Sequence, residues 1–194
     1  MYIELTDHLR CPAGHAESYL VLIPHLMEGR QVARGTLGCP VCQAEYPIRE
    51  GVAELGEPPH RAGAVKRGPS PMTADGLVAL LGLEGAGGFV ALAGPAGRLA
   101  GELSRALPGV HCVAINPGEA LEPSAGVSVV RSARWPLKAR SMRGVVIAGL
   151  PADDAAWRDA ARQSALPGLR VVGEGPPPAG DLLASAGGWW VARG

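Results

Sequence analysis

The sequence is poor in several residue types. Among its 194 residues, lysine occurs twice, phenylalanine once and cysteine four times. No apolar run approaches the roughly 20 residues that a membrane-spanning helix needs, so we expect no membrane partner. The formal net charge is zero, so overall electrostatics selects neither nucleic acid nor a membrane surface. Apolar residues still make up 47% of the chain, which is enough for a packed core.

The scarcity of cysteine also argues against a disulfide framework. Residues 1–7 lack the basic stretch followed by an apolar stretch that is typical of a secretion signal. Disulfides form mainly in secreted proteins and oxidising compartments. We therefore expect a cytoplasmic protein with reduced thiols.

Three of the four cysteines fall into two short turns. Cys11 and Cys39 are each followed by proline, and the second turn is a complete Cys-Pro-Val-Cys that ends at Cys42. In the first turn, Gly14 takes the place of the second cysteine and His15 follows it. Two such turns, brought together by a hairpin, supply the sulfur and nitrogen donors that zinc prefers. We therefore predict a structural zinc site formed by Cys11, His15, Cys39 and Cys42.

Two other interpretations of these residues stay open at this point. The cysteines could be unpaired buried thiols beside a surface histidine. His8 or His25 could supply the imidazole instead of His15. The remaining cysteine, Cys112, lies in an apolar run and is predicted to be an inert core residue.

Residues 1–57 are predicted to form a small β-rich module of two hairpins. The predicted strands are 17–23, 30–37, 46–48 and 52–55. The first hairpin carries the chain from the first cysteine turn to the second, and Gly51 takes a positive φ in the turn of the second hairpin. So short a segment buries little surface, and a bound metal would supply the missing stability.

A linker and an α/β domain are predicted to follow. Residues 58–72 are rich in proline and glycine and have no hydrophobic periodicity. Strands are then predicted at 89–93, 110–115, 127–130, 145–147, 169–172 and 189–191. Helices are predicted at 73–83, 98–107, 153–166 and 181–186. Apolar strands that alternate with helices predict a Rossmann-like parallel sheet with right-handed crossovers over 73–194.

The first segment resembles the small zinc proteins that serve as activator subunits of tRNA and protein methyltransferases. The residues that carry the resemblance are 9–12, 38–42 and 46–52, and the last stretch, Tyr-Pro-Ile-Arg-Glu-Gly-Val, is the most specific. The resemblance implies a zinc-ribbon-like fold and docking on a protein partner. The sequence departs from the family pattern at Gly14 and His15, which bears on the fourth ligand and not on the fold.

The second segment is similar to class I S-adenosylmethionine-dependent methyltransferases. The similarity follows the order and spacing of the stretches 89–97, 110–116, 133–137, 166–172 and 183–188. The last of these resembles the helix before the family's final hairpin. The resemblance implies a cofactor loop at Gly94 and Gly97, with Asn116 at the ribose and Ser132 near the adenine.

The acidic residues that would hold this cofactor are absent. Ala91 stands where a carboxylate would face the ammonium group, and Asn116 stands where a carboxylate would accept both ribose hydroxyls. Pro95 replaces a loop glycine and has no N–H to donate. Charged acceptors contribute about 1.5–3 kcal/mol each, against about 0.5–1.5 kcal/mol for neutral ones. We predict that S-adenosylmethionine binds weakly or not at all, and we assign no catalytic residue.

A basic cluster lies in the second segment, close to Trp135. Its members are Arg131, Arg134, Lys138, Arg140 and Arg143, and no acidic residue occurs from 123 to 152. Such a cluster beside an aromatic residue is typical of contacts with RNA or an acidic protein surface. A solvated loop in an arginine-rich chain is the alternative.

These observations predict a zinc-binding, methyltransferase-like protein of two modules. We expect it to have lost methyl transfer and to act as a binding or assembly module with a protein partner. The alternative is an S-adenosylmethionine-dependent methyltransferase that carries its activator-like zinc module in the same chain. Retained cofactor binding separates the two hypotheses.

Overall fold

The computed structural model describes residues 1–59, 72–118, 121–178 and 181–194. Within these residues, eleven strands form one sheet. The strands are β1 (Val21–Glu28), β2 (Gln31–Gly38), β3 (Glu45–Arg49), β4 (Val52–Leu55), β5 (Phe89–Ala93), β6 (His111–Ile115), β7 (Val127–Ser132), β8 (Gly144–Ile147), β9 (Arg170–Glu174), β10 (Leu182–Ala186) and β11 (Trp189–Arg193). The α-helices are α1 (Ala74–Leu81), α2 (Ala100–Ala106), α3 (Leu150–Asp153) and α4 (Ala155–Ser164). Two 3-10 helices cover Ile3–His8 and Gly94–Leu99.

The centre of the sheet is parallel, as the sequence predicts. Strands run in the order β1-β2-β3-β4-β7-β6-β5-β8-β9-β11-β10. Strands β4, β7, β6, β5, β8 and β9 pair in parallel, while β1 to β4 and the final β9-β11-β10 are antiparallel. The chain order reverses at β5, because β6 lies on one side and β8 on the other. In open parallel sheets, ligands bind beyond the carboxyl ends of the strands at such a switch point.

The two predicted N-terminal hairpins are present, but the first strand lies at Val21–Glu28 and not at 17–23. β1 pairs with β2, and β3 pairs with β4 through a turn at Glu50 and Gly51, whose φ angles are 50° and 77°. The sequence predicts two modules, residues 1–57 and 73–194, joined by a linker, and this division stays a prediction. In the structure, β4 pairs in parallel with β7, from Val52–Val129 to Leu55–Ser132, so one sheet runs through both segments. Most of the predicted linker 58–72 lies outside the described residues.

Two hydrophobic layers cover the two faces of the sheet. On one face, α1 and α2 pack through Leu77, Leu81 and Leu103 against the parallel strands. On the other face, one continuous cluster joins the N-terminal segment to α4. It includes Met1, Leu5, Leu9, Leu37, Ile48, Ile115, Trp135, Trp157 and Trp190. The N-terminal residues therefore share a core with the parallel strands. No helix among the described residues is long and apolar enough to cross a membrane.

The end of the chain differs from the prediction. Residues 181–186 are predicted to be helical, but 182–186 form strand β10, which pairs antiparallel with β11. The turn between these strands is made by Gly187 and Gly188, whose φ angles are 59° and 80°. A Gly-Gly pair that can adopt two positive φ angles favours a tight hairpin, and this outweighs the helix propensity of five short or aliphatic residues.

A buried histidine connects the N-terminal segment to the amino ends of the parallel strands. The His111 ring stacks on Tyr2, with ring centroids 4.5 Å apart, and lies 2.9 Å (Nε2 to Oγ) from Ser128. The backbone N–H of Tyr2 donates to the same Ser128 Oγ at 2.9 Å. Burial, with the nearby Met1 amino group, lowers the pKa of His111 to about 4.

We expect this histidine to make stability depend on pH. Because the folded-state pKa lies below the unfolded value of about 6.5, neutral His111 stabilises the fold above pH 6.5. That stability is lost as the pH falls from 6.5 towards 4. His111 should contribute about 1–2 kcal/mol of the drop in the free energy of unfolding between pH 7 and pH 5. Urea unfolding in chelator, so that metal release does not contribute, measures the drop. In His111→Gln the contribution of this residue should vanish. If the free energy of unfolding of that variant depends on pH as steeply as that of the wild type, His111 is not the source of the pH dependence.

Candidate metal centre and the carboxyl ends of the parallel strands

The structure brings the four predicted zinc ligands together. The donor atoms of Cys11, His15, Cys39 and Cys42 all lie within 4.8 Å of one another. Cys11 Sγ is 3.7 Å from Cys42 Sγ, and Cys39 Sγ is 3.5 Å from His15 Nε2. His8 and His25 are not part of the group: the His8 ring packs on Phe89 at 4.6 Å, and His25 is exposed on β1.

Local hydrogen bonds shape both turns. The first is closed at its base, because Cys11 N donates to Ser18 O at 3.0 Å. The second follows β2 directly. There, Gln43 N donates to Cys39 O at 2.9 Å, and Cys39 N donates to Ala44 O at 2.9 Å. The β1–β2 hairpin sets the separation of the two turns, since Val21 lies opposite Gly38 at its open end.

The electrostatics of the site favour a thiolate at Cys39. Burial alone would raise the pKa of Cys39, but the backbone N–H groups of Cys42 and Val41 donate to its sulfur, and its pKa falls to about 6. Burial raises the pKa of Cys11. The hydrogen bond from His15 to the Ala16 carbonyl raises the pKa of that imidazole.

Two further groups orient the ligands from outside. Tyr46 Oη lies 3.3 Å from Cys11 Sγ, where the hydroxyl can donate to the sulfur. His15 Nδ1 lies 2.6 Å from Ala16 O, so that nitrogen carries the proton and Nε2 keeps its lone pair for a metal. The sequence contains Tyr46 within a conspicuous Tyr-Pro-Ile stretch, but its role depends on the pairing of β2 with β3, which places Tyr46 opposite Leu37.

The donor set fits zinc. With Zn–S bonds of about 2.3 Å and Zn–N bonds of about 2.05 Å, tetrahedral geometry requires S···S separations of about 3.8 Å and S···N separations of about 3.6 Å. The separations of 3.7 Å and 3.5 Å match these values. Three sulfurs and one imidazole complete the four-ligand shell of a structural site and leave no position for a substrate.

The first cysteine turn is also attached to the segment that follows β7. Residues 7–17 contact residues 135–139 in a row of hydrogen bonds, which we call the seam. Arg10 donates from its backbone N to Pro136 O at 2.8 Å and from Nε to Trp135 O at 3.0 Å. Lys138 donates from its backbone N to His8 O and from Nζ to Asp7 O, both at 2.9 Å. The seam therefore places the metal site beside the carboxyl end of β7.

The predicted cofactor loop lies at the switch point of the sheet, directly after β5. The loop after β5 and the loop after β8 contact each other directly. Gly94 has φ 68°, and a Cβ atom added to it would lie 2.3 Å from the Ala148 carbonyl oxygen and 3.2 Å from the Pro151 ring. A Cβ atom added to Gly149 would lie 2.8 Å from the ring of Pro95.

Other groups at the carboxyl edge of the sheet also contact neighbouring residues of the chain. Glu174 at the end of β9 accepts a hydrogen bond from Gly149 N at 2.8 Å. A Cβ atom added to Gly97 would lie 2.9 Å from Pro117, so this glycine packs against the residue beyond Asn116. The two glycines of the predicted cofactor loop thus serve close contacts between loops.

The other two predicted cofactor residues bind each other. Asn116 Nδ2 donates to Ser132 O at 2.8 Å, and Asn116 Oδ1 accepts from Ser132 N at 2.8 Å. The Ser132 hydroxyl donates to Arg134 O at 2.6 Å. The side-chain amide of Asn116 therefore extends the pairing of β6 with β7, and both of its polar atoms have protein partners.

The predicted basic cluster divides into two groups. Arg131, Arg134 and Arg140 are exposed. Lys138 contributes to the seam, and Arg143 donates to the carbonyl groups of Glu84, Gly85 and Gly87, which fixes the loop before β5. Cys112 is fully buried in β6, and burial raises its pKa to about 12.

Comparison with known proteins identifies no family. No family model matches the sequence, and no curated protein matches it. Solved structures match at low similarity. The antibiotic-resistance methyltransferase Kmr is 17% identical, with 58% of this chain and 69% of that chain covered and a TM-score of 0.37. A putative methyltransferase of an antibiotic biosynthesis pathway from Anabaena variabilis is 15% identical, with coverage of 52% and 43% and a TM-score of 0.36. The 16S rRNA N2 G1207 methyltransferase RsmC from T. thermophilus is 16% identical, with coverage of 89% and 43% and a TM-score of 0.38.

Proposed function

We propose that this chain is a zinc-binding protein with a methyltransferase-like sheet, and that it acts as a binding or assembly module and not as a methyltransferase. The observation that carries the metal assignment is the group of four donors within 4.8 Å of one another, in which the Cys11–Cys42 and Cys39–His15 separations match those of a tetrahedral zinc site. Its role is structural, because all four coordination positions are supplied by protein.

The zinc would hold together two parts of the chain, the first cysteine turn and the turn that follows the β1–β2 hairpin. By binding Cys11 and His15 to Cys39 and Cys42, it holds the first cysteine turn against the β1–β2 hairpin. The seam then holds the same turn against residues 135–139. Loss of the metal would free the turn at one end and weaken the seam at the other.

Three observations support the loss of cofactor binding. At the switch point, Gly94 and Pro95 contact the loop after β8 so closely that a Cβ atom at Gly94 would collide with the Ala148 carbonyl oxygen. The amide of Asn116 is occupied by Ser132. Ala91 and Asn116 also lack the negative charge that the cofactor's ammonium and ribose groups favour.

An assembly role requires a contact surface, and the exposed arginines are our candidate. Arg131 lies near the end of β7, Arg134 and Arg140 follow it, and all three side chains are exposed. We propose that they contact an acidic protein surface or RNA, while the metal site fixes the segment that carries them.

We expect one zinc ion per chain after purification without chelator, measured by inductively coupled plasma mass spectrometry. Cys39→Ser should lose the metal. Because the N-terminal segment and the parallel strands share a core, the whole chain should then melt lower, by about 10 °C or more. Val41→Ser is the matched control, since Val41 is exposed in the same turn and offers no ligand. Zinc far below one equivalent in the wild type would refute the metal assignment.

We expect S-adenosylmethionine to bind with a dissociation constant weaker than about 10 μM, which corresponds to about −7 kcal/mol. Calorimetry on the zinc-loaded chain measures it. Asn116→Asp should not create binding, because it places a carboxylate against the Ser132 carbonyl and removes a donor. It should instead destabilise the fold by about 1–3 kcal/mol. Tight binding by the wild type would support the alternative, a methyltransferase with its zinc module in the same chain.

We expect reversal of Arg131, Arg134 and Arg140 to Glu to abolish capture of the partner from native lysate. The melting temperature should change by only a few degrees, since these side chains are exposed. Reversal of Arg98, Arg105 and Arg193, which are exposed elsewhere, is the charge-matched control. Equal recovery of protein and nucleic acid by the wild type and the first variant would eliminate this role.

A further inference from the structure

The three cysteines of the metal site differ sharply in exposure. Cys11 and Cys39 are only 5% and 3% exposed, whereas Cys42 is exposed. A zinc-bound cysteine is a thiolate, and thiolates are the form that reacts with oxidants. Where several thiolates are present, access decides which one reacts first. Cys42 is therefore the point at which an oxidant reaches this site.

We propose that Cys42 and Cys11 form a peroxide-sensitive pair that releases the zinc, an inference that rests on the proposed metal site. The Cys42 thiolate attacks one oxygen of hydrogen peroxide, the O–O bond breaks, and hydroxide leaves. The product is a sulfenic acid. The Cys11 thiolate then attacks the Cys42 sulfur, the S–O bond breaks, and a second hydroxide leaves as the disulfide forms. Two thiolates lose two electrons in total, and one peroxide is reduced to two hydroxide ions.

The geometry favours Cys11 as the second partner. Cys11 Sγ lies 3.7 Å from Cys42 Sγ, so a short approach brings the atoms to the S–S bond length of about 2.05 Å. The sulfur of Cys39 accepts hydrogen bonds from two backbone N–H groups, those of Val41 and Cys42, whereas the sulfur of Cys11 has one hydroxyl donor, Tyr46, so Cys39 is the weaker nucleophile of the two.

Oxidation would leave too few ligands for the metal. Only Cys39 and His15 would remain, and a structural zinc site needs four ligands. The new bond would still join the first cysteine turn to the second, since Cys11 and Cys42 belong to different turns. The disulfide would thus replace the metal as the link between the turns, and a thiol reductant would restore the original ligands.

The test uses the full chain, with its zinc content measured before hydrogen peroxide is added. We expect peroxide to release one zinc per chain, detected with a chromogenic chelator. Differential alkylation and non-reducing peptide mass spectrometry should identify a Cys11–Cys42 disulfide, with Cys112 still reduced. Dithiothreitol with added zinc should reverse both changes. A chain that contains no zinc would refute the proposed metal site together with this inference.

Two variants make the inference falsifiable separately from the metal site. Cys42→His keeps a zinc ligand but removes the exposed sulfur, so it should bind zinc and release it at least tenfold more slowly. Cys11→His keeps Cys42, so a sulfenic acid should be trapped by dimedone without a bridge to residue 11. If zinc-loaded wild type forms a Cys39–Cys42 bridge, or Cys42→His releases zinc as fast as the wild type, the inference is wrong while the metal site stands.

Discussion

The parallel pairing of β4 with β7 is the constraint on which the rest of the structure depends. Without it, β7 would be the edge of the parallel sheet, and its N–H and C=O groups would be exposed for pairing with other chains. Four residues, from Val52 to Leu55, cover that edge. The antiparallel hairpins continue outward from β4, and the N-terminal 3-10 helix lies across the face they share with the parallel strands. Together with the seam, this pairing places the candidate metal site beside β7.

Short loops converge both at the candidate metal site and at the switch point, but their polar groups point to different partners. At the metal site, short turns converge on a space that an ion can fill, and backbone N–H groups point at sulfur. At the switch point, the loops after β5 and β8 converge until they touch, and glycines permit the contact. The first arrangement keeps its polar atoms available to a ligand. The second directs them to neighbouring backbone, as Asn116 and Glu174 do.

Much of the local structure follows from short-range sequence signals. Both N-terminal hairpins, the strand at 89–93 and the helix capped by Thr73 agree with the predictions, because apolar alternation, a Glu-Gly turn and a capping hydroxyl act over a few residues. The cluster of Cys11, His15, Cys39 and Cys42 also follows from short-range signals, namely two Cys-Pro turns at the open end of a hairpin. The prediction of a helix at 181–186 is wrong, because these residues have only a weak helix preference and the neighbouring glycine pair determines their conformation.

The long-range features could not be predicted in the same way. No local pattern indicates that β4 pairs with β7 or that Arg10 contacts residues 135 and 136. An edge strand such as β4 can pair only with another strand whose edge is free. Which strand that is becomes defined only when the whole sheet has formed. The environment of Asn116 is also a long-range feature. Its position in the sequence suggests contact with a ligand, but the register of β6 and β7 places its side-chain amide against the backbone of Ser132, where the two form hydrogen bonds.

The contact at Gly94 has a consequence for anyone who would engineer a nucleotide site into this scaffold. Carboxylates placed at positions 91 and 116 would add charge without separating the two loops that meet at Gly94. A carbonyl oxygen already lies where the first atom of a side chain would go at Gly94. Pro95 and Pro151 stiffen the two loops, since a proline ring fixes φ and resists a change of backbone path. Replacing those prolines is therefore the change that would let the two loops separate, which added charges alone would not do.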